Sequence, residues 1–539
     1  MAEKPKEELL QVDLAPKRSD WMDPFVDFEG RRGTWSYPGM AKNLKYMGFP
    51  NPRQWSPTDG DWQLPEDWQN IIHEGFKDRL SRFRSLQVFM DICVRCGACA
   101  DKCHFYLGSG DPKNMPVLRA ELMRSIYRND FTKLGKYLGR LAGARKLTPE
   151  VLKEWFYYFF QCTECRRCSV YCPYGIDTAE ITMMARELMN LVGLNINWAV
   201  EPVAKCHRTG NHLGIEPHTF KDNVEFLCEE LEDVTGLKLD PPIHKKGAEV
   251  LFVIPSADYF ADPGTYTFVG YLMLFKHIGL DYTLSAYASE AGNFGLFTSN
   301  ETMKRLNYKV YHEAKRLGVK WILGGECGHM WRVLHQYMDT MNGPADFLEV
   351  PKSPMTGTVF ENAASSKTVH ICEFTADLLR YNKLKLDPSR NDRYRVTFHD
   401  SCNPARALGL FEEPRYILKN VCKNFVDMPE NTIREHTFCC AGGAGLGNDE
   451  NMEMRLRGGL PRGNAVKHVR DKHDVNLLSC ICAIDRATLP PLVDYWAPGV
   501  EVSGVHELVA NALIMEGENE RTTNLRGEAL DETEESDDV

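Results

Sequence analysis

Beyond residue 245, four short apolar runs punctuate the chain: EVLFVIP from Glu249, VKWILGG from Val319, YRVTFHD from Tyr394 and VNLLSCI from Val475. Apolar runs of this length, separated by amphipathic stretches of helical period, predict buried strands layered with helices. The pattern also repeats. EVLFVIPSA leads through a helix and a Gly-rich turn to VKWILGGECGHMW, and YRVTFHDSCNPA leads in the same way to VNLLSCICAID. Two similar α/β units in tandem are expected, over 245–385 and 386–520, with Cys327 of the first mirroring Cys480 of the second. Ahead of them the period is helical: Val117 to Arg128 and Glu150 to Phe160 read as helices of a cysteine-dense domain over 76–200. Residues 1–75 keep no sustained period and are rich in Pro, Gly, Asp and Trp, so an extended arm is expected. Its tryptophans, Trp21, Trp35, Trp55, Trp62 and Trp68, suit packing on the protein itself or on a partner. The final segment, 521–539, ends in EALDETEESDDV and reads as an acidic disordered tail. The predicted class is α+β multidomain.

Composition narrows the function. The chain sets 64 basic against 75 acidic side chains, a net charge of −11, which argues against a nucleic-acid binder relying on a broad positive field. The most apolar helical stretch, Gly264 to Leu280, is broken by Lys276 and His277 and falls short of the roughly 20 residues that span a bilayer. No transmembrane helix is expected, and membrane attachment would come through a partner. The 18 cysteines would imply disulfides in a short secreted chain, but no charged leader precedes them and they bunch at metal-ligand spacings. They read as reduced ligands in the cytoplasm.

Cys93, Cys96, Cys99 and Cys103 form C-x2-C-x2-C-x3-C, and Cys162, Cys165, Cys168 and Cys172 repeat it, followed by Pro173. Three thiolates on one tight loop take three corners of a cubane while the fourth points to a second cluster. The ligand sets are therefore expected to cross: Cys93, Cys96, Cys99 and Cys172 for one [4Fe-4S] cluster, Cys162, Cys165, Cys168 and Cys103 for the other. Paired C-x2-C motifs also hold zinc, but four cysteines at this spacing, twice over, fit cubanes better. His104 stands where a proline would follow Cys103, which changes the turn and removes no ligand. The long helical segment between the motifs resembles the helical ferredoxin domain of fumarate reductase iron-sulfur subunits. The run WFYYFF, Trp155 to Phe160, reads as core shielding a cluster, with contact to a membrane partner as the other use.

A third constellation follows: Cys402 in HDSCNPAR, the adjacent Cys439 and Cys440 in TFCCAGGAGLG, and Cys480 with Cys482 in SCICAID. Adjacent cysteines fit poorly at the corners of a simple cubane, so a cluster of unusual shape would use both. At these residues the chain resembles the CCG domain of heterodisulfide reductases, whose five cysteines hold a noncubane [4Fe-4S] cluster. The likeness runs from about Cys93 to Glu507, because that family joins a helical two-cluster ferredoxin domain to tandem CCG units. Within it, HDSCNPAR, CCAGGAG and GGECGH are similar to the DsrK-type subunits of the DsrMKJOP respiratory complexes of sulfur-metabolising prokaryotes.

Three departures from the family pattern matter. Ala441 follows the cysteine pair where the family has glycine. The last element is C-x-C instead of C-x2-C, which favours Cys480 over Cys482 as a ligand. The first unit carries Ser256 and SEAGNFG from Ser289 where cysteines are expected and keeps only Cys327, so one special cluster is expected, not two. Cys327 either reaches that cluster or its substrate across a pseudo-twofold, or is a buried inert thiol. His399, His329, Arg406 and Arg486 flank the motifs and would donate protons, hold an anionic substrate, or make ordinary hydrogen bonds and ion pairs. Cys206, Cys228, Cys372 and Cys422 match no motif and read as core. GGAGLG imitates a dinucleotide-binding loop without its context; glycines that let backbone approach a cluster explain it better.

The resemblance implies a heterodisulfide-reductase-like oxidoreductase subunit. Electrons would come from a quinol-oxidising membrane cytochrome b, DsrM, pass through two cubanes, and collect at the noncubane site. There Cys402, Cys439, Cys440, Cys480, Cys482 and Cys327 would reduce or oxidise a disulfide or trisulfide on the small sulfur carrier DsrC, at the cytoplasmic face of the inner membrane. A disulfide takes two electrons and two protons, so a centre that binds sulfur and holds the halfway state resolves the mismatch. The rivals are a non-catalytic electron-wiring and anchoring subunit of a membrane dehydrogenase and a structural zinc protein.

Overall fold

The computed structural model describes residues 64–290, 292–447 and 452–530. The expected arm therefore lies outside the described residues up to residue 63, with Trp21, Trp35, Trp55 and Trp62, and the acidic tail lies outside them from 531. Where the two segments are described, they differ from expectation. Helix α1 (Trp68–Arg82) is already in place, because Trp68, Ile72 and Phe76 recur every fourth position and are all buried. Residues 521–530 are packed through polar anchors that a hydropathy pattern does not show: Tyr394 donates to Glu528 at 2.7 Å and Arg526 to Glu507 at 2.6 Å.

The cysteine-dense region is helical. After α1 come α2 (Pro116–Phe131), α3 (Lys133–Leu138), α4 (Pro149–Phe159) and α5 (Thr178–Leu191), with α2, α4 and α5 packed on one another. Their starts are encoded locally. Thr148 caps α4 ahead of Pro149, and Asp177 caps α5 by accepting from the Ala179 amide at 2.9 Å. Trp155 to Phe160 are all buried, and Trp155 Nε1 donates to the Leu122 carbonyl at 3.1 Å, so this run is interior and offers no face to a partner.

Two parallel sheets follow. The first has the order β2-β1-β3-β4, from β1 (Val250–Val253), β2 (Tyr282–Thr283), β3 (Trp321–Gly324) and β4 (Thr368–His370), with Val250 opposite Trp321. The second has the order β5-β6-β7, from β5 (Val396–His399), β6 (Leu477–Cys480) and β7 (Glu501–Gly504), with His399 opposite Cys480. Helices α6 (Gly264–Ile278), α7 (Asn300–Leu317) and α8 (Gly328–Arg332) accompany the first sheet. Helices α9 (Met452–His473), α10 (Ala483–Trp496) and α11 (Val505–Ala512) accompany the second, and α6 packs on α11 to join the halves. Among the described residues no helix is long and apolar enough to cross a membrane.

The expected correspondence of Cys327 with Cys480 does not hold. Cys327 is the residue before α8, with φ −138° and ψ 114°. Its counterpart is Cys482, the residue before α10, with φ −147° and ψ 129°, whereas Cys480 is the last residue of β6. Parallel sheets gather the loops beyond their strand C-termini, and these are the loops that carry Ser256, Cys327, Cys402 and Cys482.

Candidate iron-sulfur site

Both ferredoxin-type loops turn through a left-handed residue two positions after the first cysteine, Arg95 at φ 58° and Glu164 at φ 55°. That turn folds each set of thiols inward. Cys93, Cys96, Cys99 and Cys172 line one small cavity together with Val94 and Tyr174. Burial pushes the Cys99 thiol up to about 11, and the charges of Cys172 and Cys93 add to it against two backbone hydrogen bonds. Cys162, Cys165 and Cys168 gather with Cys103: burial raises Cys168 far above a free thiol, and charge on Cys165, Cys162 and Cys103 raises it further. Buried Arg186 pins this loop through the carbonyls of Phe159 at 2.7 Å and Cys162 at 2.6 Å and the carboxylate of Glu164 at 2.8 Å. Each loop thus receives its fourth thiol from the other. Crowded, mutually repelling thiols ionise together most readily around a cationic centre, and the donor set fits a [4Fe-4S] cluster.

The late cysteines divide into two touching groups and one outlier. Cys439 contacts Cys402, Cys440 and also Cys165 of the second ferredoxin loop, and these contacts with burial push it far up. The thiols of Cys165 and Cys439 and a ring nitrogen of His104 lie within 4.8 Å of one another. Cys439 donates to Thr163 Oγ1 at 3.3 Å, and His104 bridges the same hydroxyl at 3.0 Å and the Gly458 carbonyl at 2.9 Å. The Ala441 amide donates to Cys439 Sγ at 3.3 Å and the Gly442 amide to Cys440 Sγ at 3.5 Å, the pattern that supports thiolate ligands. Ala441 itself takes the left-handed φ of 66° that a glycine would adopt without strain.

Cys482 contacts Cys327 and His329, and the His329 imidazole is raised by Cys482, Cys402 and Glu164 in spite of its burial. Cys480 stands apart, its thiol 3.6 Å from the Ser503 carbonyl. The loop between β6 and α10 presents Cys482, while Cys480, the residue the spacing favours, still belongs to the strand. The flanking residues separate too. His399 lies 3.4 Å from Asp485, which also accepts from Ser401 at 2.5 Å. Arg406 donates to the Cys165 carbonyl at 2.6 Å, and Arg486 is buried against Asp258 and Glu326, so both guanidinia hold protein groups.

A cavity of about 250 Å³ opens beside this centre, walled by Lys205, His212, Phe294, Phe297, His329 and Gly443 among others. His329 Nε2 is buried without a hydrogen-bond partner, and a Cβ on Gly443 would stand 3.2 Å from the His329 ring, so the glycine leaves room beside this imidazole. Bonded to His212 of this wall, Glu290 accepts from the Ser256 hydroxyl at 2.6 Å and the His212 amide at 2.9 Å, and lies 2.6 Å from His212 Nδ1. Burial would raise Glu290, but His212 and Ser256 hold it below the ordinary carboxylate range. Cys206, expected as plain core, donates to the same carboxylate at 3.7 Å. His104, Thr163, His212 and Glu290 carry no motif of their own, and only the substitution at His104 and the SEAG segment containing Glu290 pointed toward any of them; Asp485 closes the SCICAID segment without a spacing that marks its role.

Residues 89–176 match the family model of the 4Fe-4S dicluster domain. Fold and thiol sites together define an iron-sulfur electron-transfer protein of the heterodisulfide-reductase type. The chain is 48% identical over 558 aligned positions to the Hdr-like menaquinol oxidoreductase iron-sulfur subunit of Archaeoglobus profundus, spanning 99% of this chain and 100% of that protein. It is 48% identical to iron-sulfur subunit 2 of the Hdr-like menaquinol oxidoreductase of Archaeoglobus fulgidus, spanning 96% of this chain and 98% of that protein. The HdrD-type component of the dihydromethanophenazine:CoB–CoM heterodisulfide reductase of Methanosarcina mazei is more distant, 26% identical over 79% of this chain and 95% of that protein. No solved structure matches. The chain belongs to the family of Hdr-like menaquinol oxidoreductase iron-sulfur subunits.

Proposed function

We propose that the chain takes electrons singly from a quinol-oxidising membrane cytochrome b of the DsrM type and passes them through two cubanes in the crossed ligand sets. They then reach a noncubane [4Fe-4S] centre held by Cys402, Cys439, Cys440 and Cys482, with Cys327 beside it and Cys480 set back at the end of β6. The two α/β halves are then a degenerate and a complete CCG unit, and the chain lies on the cytoplasmic face of the membrane. Its substrate is a disulfide or trisulfide on a DsrC-like sulfur carrier, and the names of its relatives support both a menaquinol donor and disulfide chemistry.

The reading is carried by the contact of Cys165 with Cys439, which joins the second ferredoxin loop directly to the late cysteines. When bound, the third cluster would supply a sulfur-accepting site that takes up two electrons in separate steps. In the reducing direction the S–S bond breaks, two electrons and two protons enter, and two thiols leave. The protein supplies a cavity, a glycine wall thin enough for sulfur to approach, and His329 on the cavity wall to face the departing thiolate.

Anaerobically purified protein tests this. A paramagnetic signal from the third centre should change when thiol substrate meets oxidised protein and should disappear in Cys439→Ser. A signal indifferent to thiol in wild type and variant alike would leave an electron-wiring subunit. Fewer than about eight irons per chain would exclude two full cubanes.

A further inference from the structure

Between Asp130 and Glu150 the chain carries no acidic residue and five cations, Lys133, Lys136, Arg140, Arg145 and Lys146, in a protein of net charge −11. The same segment, α3 and the turn after it, displays apolar side chains to solvent: Tyr137 and Leu141 are 91% exposed, Leu134 64% and Leu138 42%. This is not a loose loop. The Gly135 amide donates to Thr132 Oγ1 at 3.0 Å, and a Cβ on Gly135 would meet the Arg128 carbonyl at 2.0 Å. Arg128 Nη2 donates to the Gly143 carbonyl at 2.9 Å, and the Arg145 amide to the Ser125 carbonyl at 3.0 Å. A fixed frame therefore holds four apolar side chains away from any core. Arg145 pairs with Glu154 at 2.7 Å, but Lys133, Lys136, Arg140 and Lys146 have no ion-pair partner among the described residues.

The frame abuts the first ferredoxin loop. Arg95, between Cys93 and Cys96, and Arg128 both bind Glu121, and Gly143 lies against the two guanidinia. Exposed Val94, Cys96 and Tyr174 continue the same surface.

We propose that residues 132–146 are a membrane-surface contact of the chain itself. Leu134, Tyr137, Leu138 and Leu141 enter the boundary between headgroups and acyl chains, and the surrounding cations meet anionic headgroups. Charge complementarity selects this occupant: unpaired cations around exposed apolar groups, on a protein otherwise acidic, suit a dense anionic surface, and tyrosine favours the interface. The inference goes beyond the proposed function and stands without its sulfur chemistry. It orients the molecule, setting the exposed first cysteine loop toward the bilayer.

The test is sedimentation of the full iron-loaded chain with vesicles of phosphatidylcholine alone or mixed with phosphatidylglycerol. Binding is expected only with the anionic lipid and weakens as salt rises. Lys133→Glu with Lys136→Glu and Arg140→Glu, and separately Tyr137→Ser with Leu141→Ser, each weaken it at least about tenfold, with the visible absorption of the clusters unchanged. Wild-type protein that ignores anionic vesicles, or variants that bind as well as wild type, would overturn the proposal. So would binding that appears only when a membrane protein partner is reconstituted in the vesicles. The substituted side chains are exposed, and either variant set alone decides the question if the other fails to fold.

Discussion

The two halves of the α/β region place side chains at matching points of one strand-and-loop frame and fill them with opposite chemistry. Three residues beyond β5 stands Cys402; three residues beyond β1 stands Ser256. The adjacent Cys439 and Cys440 of the second half correspond to Ser289 and Glu290 of the first, and Cys482 corresponds to Cys327. In the second half the thiols touch one another and repel when ionised, so the group is incomplete without a cation. In the first half Glu290 is met by Ser256 and, from the preceding segment, by His212 and Cys206, and Ser289 accepts from Tyr259 at 2.8 Å, so donors and acceptors are matched by protein groups. Under the proposed function, similar strand-and-loop positions serve a metal centre in one half and a self-satisfied polar cluster in the other.

The largest break in the comparison should come from iron. Cys439→Ser is expected to lower iron from about 12 to about 8 atoms per chain, leaving the cubane absorption in place. Ser256→Ala should leave iron unchanged. Full iron in the Cys439 variant, or loss of iron in the Ser256 variant, would dissolve the distinction between the halves.

Next in size is the bond between them. Arg486 on α10 of the second half reaches Glu326 of the first at 2.8 Å and Asp258 beside it, all buried. Arg486→Met leaves two carboxylates without their cation and is expected to cost about 3–5 kcal/mol in denaturant unfolding. Adding Asp258→Asn and Glu326→Gln should recover much of that. A cost below about 1 kcal/mol would mean that the halves do not depend on this lock.

Within the first half alone, Glu290→Gln turns a multiply bonded carboxylate into an amide that cannot accept from every partner. Stability should fall by about 1–3 kcal/mol while iron content stays at the wild-type level. Iron loss here would place metal chemistry in the half that lacks the cysteines.

How much of this was legible depends on whether the signal is local. β1, β3, β5 and β6 stood out as continuous apolar runs, whereas β2 has only two residues and β7 begins with Glu501. The ferredoxin motifs were legible because their spacing is the geometry of one loop. The correspondence of Cys327 was not, because aligning the repeat on the first cysteine of C-x-C ignores the start of the following helix, which is what sets the loop position. The Cys165 contact with Cys439 and the His212–Glu290 wall had no local signal, since their members come from distant segments that only tertiary packing brings together.

The smallest expected effect is a pH slope that belongs to the first half. Burial pushes the Asp258 carboxyl up to about 7 even though Arg486 opposes it, because that guanidinium is shared with Glu326, whose charge raises Asp258 further. The folded state therefore holds this proton more tightly than the unfolded chain does. Its contribution to stability is fully present below the unfolded value near 4 and is lost as pH rises through about 7. From pH 6 to pH 7 the loss should be at most about 1 kcal/mol. Asp485 after β6 is the contrast: buried as deeply, it is held down by His399, Cys440 and Ser401, so it lends the second half no such slope in that window. Denaturant midpoints of wild type and Asp258→Asn across this range check the assignment. The variant should show a shallower slope by that amount even though its absolute stability is lower, because burial also raises Glu164 and Glu373 to about 7 and their shares remain; an unchanged slope would remove Asp258 from the assignment.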